Sequence, residues 1–192
     1  MLTDALRFLV STGLDLLACA FFLRFWMQWA RVPAHHPFPQ FLMKVTDFAV
    51  RPARRVVPGF FGMDWASLLL LLGTKVLAVV AIHWLMGYPF AVAGIEVLPG
   101  FLALGLAASL RLGLYVLMGL IVLQAILSWV NPFSPHAPLF YALSRPVLAP
   151  FQKIIPPLGG VDLTPLAALF VLQLLLVAPV ATLERLARAL VW

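Results

Sequence analysis

Apolar residues in this chain do not alternate with polar ones as on the face of a soluble helix or strand; they gather into four long blocks. A bilayer core of about 30 Å is crossed by roughly 20 mostly apolar residues at a rise of ~1.5 Å each. Blocks of that length run from about Phe8 to Trp29, Trp65 to Met86, Ala107 to Val130 and Pro165 to Leu183. The pattern predicts four transmembrane helices. Residues 88–106 are also apolar, but Pro89, Gly94, Glu96, Pro99 and Gly100 break them up. This stretch reads as an outer hairpin or a partly re-entrant segment. The first block is expected to remain as a span, because Asp15 and Arg24 interrupt it and no small-residue cleavage site follows. The C-terminal residues carry no prenylation signal.

Composition strengthens the membrane reading. Of the 192 residues, 64% are hydrophobic and only 10% charged, with a mean hydropathy of +1.04. A soluble domain could not cover that apolar surplus, and a disordered chain needs the opposite balance. A disulfide scaffold is excluded because Cys19 is the single cysteine. The expected fold class is therefore all-α and polytopic.

Lysine and arginine set the expected orientation. The segment between the first two spans carries Arg31, Lys44, Arg51, Arg54 and Arg55, and that between the last two carries Arg145 and Lys153. On the other side stand Arg7, Arg185 and Arg188, with Glu96 in the central hairpin and Arg111 at the mouth of the third span. The bias places both long loops in the cytoplasm and both termini outside.

The two halves match after a shift of about one hundred residues. Leu23 to Trp29 lies over Leu123 to Trp129. After a two-residue change in loop length, Thr46 to Asp64 lies over Ser144 to Asp162. Within that alignment Pro52 pairs with Pro150, Arg55 with Lys153, Pro58 with Pro156, Gly62 with Gly160 and Asp64 with Asp162. The repeats are residues 1–90 and 91–192, with loops at 33–62 and 131–162. Each holds two crossings, so the repeats are parallel, and a pseudo-twofold axis along the membrane normal is expected.

The loop Ser144-Arg145-Pro146-Val147-Leu148-Ala149-Pro150-Phe151-Gln152-Lys153-Ile154-Ile155-Pro156-Pro157, continuing through Gly160 and Asp162 to Pro165, resembles the signature of the YggT family. The first copy, Arg51-Pro52-Ala53-Arg54-Arg55-Val56-Val57-Pro58 with Asp64, is similar. Two departures stand out: Asp47 is followed by Phe48, and Arg145 precedes Pro146 in place of the family's acid. The resemblance implies a small bacterial inner-membrane unit, used twice, tied to osmotic tolerance, cell division or membrane organisation. In chloroplast relatives it implies haem attachment to a cytochrome. That role does not carry over, since there is no Cys-x-x-Cys-His motif and His35, His36, His83 and His136 do not recur at matched positions.

Asp64 and Asp162 precede spans two and four, where the first helical N–H groups lack partners, so each reads as an N-cap. Pro52, Pro58, Pro146, Pro150, Pro156 and Pro157 forbid one long helix in either loop and suggest short amphipathic turns on the membrane surface. Arg51, Arg54, Arg55, Arg145 and Lys153 form a basic patch for anionic headgroups or for another membrane protein. Nucleic acid is the weaker partner, and a homo-oligomer is compatible with the sequence.

Inside the spans Asp15 and Lys75 fall at similar depth and are expected to pair. Arg24 corresponds to Gln124 and Lys75 to Gln173, predicting a polar seam between helices. Gly105, Ser109 and Gly113 permit close helix packing, and Trp26, Trp29, Trp65, Trp84 and Trp129 are expected to anchor span ends. No arranged nucleophile, paired active-site carboxylates, phosphate loop or four-ligand metal spacing is apparent, so neither an enzyme nor a cofactor is expected. The leading expectation is a non-enzymatic organiser of lipid or of a partner complex. The alternative is a small ion or solute channel or transporter lined by Asp15, Arg24, Lys75, Gln124 and Gln173.

Overall fold

The computed structural model describes residues 1–33, 36–57, 59, 62–131, 133–155 and 162–191. Pro58, Pro156, Pro157, Gly160 and His35, singled out from the sequence, lie outside the described residues. The chain is all helical there. Helix α1 (Leu2–Trp29) is followed by α2 (Pro37–Val56), α3 (Trp65–Leu85) and a four-residue α4 (Phe90–Ala93). After a 3-10 turn at Ile95–Val97 come α5 (Leu98–Val130), α6 (Ala137–Gln152) and α7 (Thr164–Leu175). A π turn, Leu176–Val180, joins α7 to α8 (Ala181–Ala189).

Four helical stretches are long and apolar enough to cross a membrane: α1, α3, Ile95–Val130, and Thr164–Ala189. Between 17% and 33% of the residues in their apolar windows are buried within the molecule, so most of each surface faces outward. In water such a surface would be untenable; in a bilayer it meets acyl chains. An even number of crossings puts both termini on one side and α2 and α6 on the other, called here the loop side.

The helices depart from the sequence reading in three places. Residues 98–106 belong to α5, because Pro99 and Gly100 fall in its first turn, where proline's missing N–H costs nothing. The last span runs to Ala189, past Leu183. Pro179 sits inside its π turn, which absorbs the missing hydrogen bond without ending the helix. The loops hold whole helices of 20 and 16 residues rather than short turns, with Pro52 inside α2 and Pro146 and Pro150 inside α6. Each proline removes one backbone bond, whereas docking of a continuous apolar face supports the entire helix. In α2 that face is Pro39, Leu42, Thr46 and Val50; in α6 it is Leu139, Leu143, Ser144 and Leu148.

Arg31 ends α1 in the left-handed region at φ 54°, while its N–H bonds Gln28 O and that of Val32 bonds Met27 O. This is a Schellman stop, which turns the chain toward α2. Between the hairpins, small residues set the spacing. A Cβ on Gly105 would lie 2.2 Å from Val76 Cγ2, and one on Gly113 would lie 2.8 Å from a ring carbon of Phe22. On the loop side Met27, Leu42, Leu120, Leu139 and Leu143 form a core shared by both repeats. Trp26 donates its indole N–H to Leu143 O at 2.8 Å, so this tryptophan joins the halves rather than anchoring a span in lipid.

The hairpins meet extensively through α3 and α5. A twofold axis would require an equal interface between α1 and α7, and the described residues form none of that extent. The spans therefore pack in chain order, and the expected closed twofold is not adopted.

Candidate functional site

The first repeat contains a closed cluster of charges at the loop-side ends of α1, α2 and α3. Arg24, only 8% exposed, emerges from α1 against the docked face of α2. Its Nη1 donates to Thr46 Oγ1 at 2.7 Å, to Asp47 Oδ1 at 2.8 Å and to Met43 O at 3.3 Å. Its Nε lies 3.5 Å from Asp64 Oδ2. Asp64 is buried, and Arg54 reaches both of its oxygens, Nη2 to Oδ2 at 2.6 Å and Nε to Oδ1 at 3.2 Å. Asp64 also caps α3 by accepting from the N–H and the hydroxyl of Ser67. The carboxylate is thus an N-cap, as the sequence reading has it, and also the hub of an ion network that reading missed.

Burial alone would push the Asp64 carboxyl up, but the hydrogen bonds from Arg54 and Ser67 and the Arg54 charge outweigh it and hold it below the usual carboxylate range. Asp47 is lowered chiefly by its hydrogen bond from Arg24, with Arg51 adding to the effect. Arg54, which the sequence reading put in the basic patch, stays exposed over 46% of its side chain while its guanidinium also pairs with the buried Asp64. The signal was present in the sequence. Arg24 and Asp64 stand near the same membrane level, by the depth reasoning that pairs Asp15 with Lys75.

Arg51 and Arg55 remain exposed on α2, as do Arg145 on α6 and Lys153 just beyond it. Arg51 bonds Asp47 along its own helix at 2.7 Å. The surface of α2 divides into three stripes. To one side of the docked face, Phe38, Phe41, Val45, Phe48 and Val56 are exposed apolar side chains at helical spacing. Beside them runs a polar stripe with exposed Lys44, Arg51 and Arg55.

A second site lies between the spans. Lys75 Nζ meets Asp15 Oδ1 at 2.7 Å, bringing together the two residues expected to pair. They open on a cavity of about 680 Å³ also lined by Cys19, His83, Arg111, Tyr115 and Glu184. Arg111 on α5 is salt-bridged to Glu184 on α8, which also holds Arg188. The π turn makes this pairing, since one extra residue per turn rotates the following helix by about 100°. Sequence reasoning ended the span at Leu183 and so missed Glu184.

The expected polar seam is not continuous. Ala18, Phe21, Phe22 and Leu71 form a dry core between the Asp15–Lys75 pair and the Arg24 cluster. Gln173 points outward, away from Lys75, and Gln124 lines a different cavity beside α6. Pro52 and Pro150 are exposed on α2 and α6. Gly62 adopts φ +72°, a backbone state that favours glycine, and its carbonyl accepts from Gln28 Nε2. Asp162 is one residue farther out than expected. Helix α7 starts at Thr164, and Asp162 Oδ1 accepts from its N–H at 2.9 Å and its hydroxyl at 2.6 Å. Pro165 in the first turn fixes that start.

His36 and His136 begin α2 and α6 with ring centroids 6.0 Å apart. They do therefore hold corresponding places, contrary to the sequence reading. No cluster of three or more His, Cys, Asp or Glu that could hold a metal occurs among the described residues.

Four apolar spans in two hairpins, each strapped by an amphipathic helix, define a multi-pass membrane protein with an internal repeat. The chain matches the CCB3/YggT family over residues 3–85 and 103–183, one segment for each repeat, and belongs to that family. It is 33% identical to YggT of Escherichia coli K12 over 177 residues, covering 90% of this chain and 87% of that one. A Pseudomonas aeruginosa relative is 35% identical over 176 residues, 91% of this chain and 87% of the relative. A relative from Vibrio alginolyticus is 33% identical over 171 residues, covering 88% and 90%. No solved structure matches the chain.

Proposed function

We propose that this protein is a non-enzymatic organiser of the bacterial inner membrane, with α2 and α6 lying in the headgroup layer of the cytoplasmic leaflet and both termini outside. One observation carries this reading: the undocked surface of α2 is split lengthwise into an apolar stripe through Phe41, Val45 and Phe48 and a cationic stripe through Lys44, Arg51 and Arg55. A helix so divided rests its apolar side on acyl chains and its cations on phosphates. The Arg24–Asp64–Arg54 network favours the same role, since it fixes α2 to the ends of α1 and α3 and makes the strap a rigid part of the hairpin. Roles in membrane assembly, division or osmotic tolerance fit this activity, and other membrane proteins can share the surface.

A small ion or solute pathway is the second reading. The 680 Å³ cavity favours it, but the core at Phe21 and Leu71 and the sealed Arg24 cluster stand against a continuous route.

The test is lipid retention. In nanodiscs of mixed phosphatidylglycerol and phosphatidylethanolamine, followed by native mass spectrometry, the wild-type protein retains phosphatidylglycerol. The triple variant Lys44→Gln, Arg51→Gln, Arg55→Gln loses about 1 kcal/mol per removed charge, or on the order of 100-fold in affinity. Equal retention by both proteins contradicts the proposal, as does Lys75-dependent ion flux in liposomes.

A further inference from the structure

The two repeats differ most at the place where the first gathers its arginines. The repeat register puts Gln124 where Arg24 stands, Gln152 where Arg54 stands, Arg145 in place of Asp47 and Asp162 in place of Asp64. The charge changes are mutually consistent: with the Arg24 position neutral, the acid that binds it is no longer needed. The carboxylate at the hub is kept.

Gln124, Gln152 and Asp162 come together in the fold. They line one cavity of about 640 Å³ beside Ser128, Ser134 and Tyr141, within the usual range for small-ligand sites of about 300–1,000 Å³. Gln124 Oε1 is buried and has no hydrogen-bond partner. Asp162 uses Oδ1 on Thr164 and forms no ion pair among the described residues. A buried acceptor without a donor and a solvent-exposed carboxylate on the same space suit a cationic donor. The first repeat displays the chemistry that satisfies such a space, since two guanidinium groups fill its equivalent and bond Asp64.

We infer that this cavity is a binding site for a small ligand bearing a guanidinium or primary ammonium group, which takes the place occupied in the first repeat by Arg24 and Arg54. The cation pairs with Asp162, and its N–H groups donate to Gln124 Oε1 and to the Tyr141 hydroxyl. The ligand is either a soluble amine or the ammonium of a phosphatidylethanolamine headgroup. The site is separate from the α2 surface and does not depend on what that surface binds.

Agmatine, which carries both groups, is the probe. Titrated into the full-length protein in nanodiscs of phosphatidylglycerol alone, it raises the thermal unfolding midpoint saturably. Asp162→Asn weakens the response at least tenfold. Gln124→Arg supplies the guanidinium in cis, so it raises the midpoint without ligand and abolishes the response; this second variant keeps the test open if Asp162→Asn misfolds. A weaker response in discs containing phosphatidylethanolamine identifies the lipid headgroup as the occupant, and an unchanged response identifies a soluble amine. Either supports the site. No saturable response in the phosphatidylglycerol discs overturns it, as does a response that both variants retain.

Discussion

At the residue scale, the first repeat is governed by one carboxylate. Asp64 holds Arg54, faces Arg24 and caps α3, so Asp64→Asn removes the charge partner of Arg54 and leaves Arg24 with Asp47 alone. Losing the hydrogen bonds that this buried carboxylate accepts costs about 1–3 kcal/mol, measurable as a lower unfolding midpoint in detergent or nanodiscs. The pH dependence has a definite sign. Asp64 and Asp47 both titrate below their ordinary values when folded, so the unfolded state binds protons first as pH falls. Their stabilisation is complete above the unfolded carboxylate value of ~3.9 and disappears as pH drops through the lowered folded values. Unfolding midpoints followed from pH 7 to pH 3 should fall at the acid end, and Asp64→Asn should flatten that limb. For the intramembrane pair, Lys75→Met strands Asp15 and costs about 3 kcal/mol. The double variant Asp15→Leu, Lys75→Met should recover most of that loss if the pair is structural; a conducting pathway would instead show altered ion flux.

At the element scale, close contact between α3 and α5 is set by Gly105. Even one methyl group there meets Val76 side chain and backbone, so Gly105→Ala should destabilise by about 1–3 kcal/mol, and Val76→Ala should recover part of it by clearing Cγ2. The spans and the Asp64 cap were legible because hydropathy, span length and the Asp-Trp boundary act locally. The Asp15–Lys75 pair was legible because two lone charges at one depth have strong reason to meet. The pairing of Arg54 with Asp64 was not, since a cation in an amphipathic loop looks the same from sequence whether or not it also reaches a buried acid. Nor was helix continuity through Pro52, Pro146 and Pro150, because proline's local penalty is visible along the chain while the compensating burial of Val50 or Leu148 is tertiary. The π turn at Pro179, and with it the Arg111–Glu184 pair, was hidden for a related reason: one inserted residue rotates everything after it.

At the scale of the whole molecule, duplication has produced halves alike in architecture and unlike in charge. The first closes its loop-side end with an ion network and carries the stronger cationic stripe; the second keeps an open cavity at the same level. Packing in chain order, α1 on α3, α3 on α5 and α5 on the last span, leaves α2 and α6 adjacent on one side, joined through the shared core at Leu42 and Leu139. That pair of straps is the feature on which a membrane-organising role rests. Its direct test is the collision accessibility of nitroxide labels attached to α2 by Phe48→Cys and by Arg51→Cys in nanodiscs. A helix lying in the headgroup layer exposes the label at 48 to lipid-dissolved oxygen and the label at 51 to a water-soluble nickel chelate. If both labels meet the nickel chelate equally and neither is reached preferentially by oxygen, α2 stands in water and the account fails.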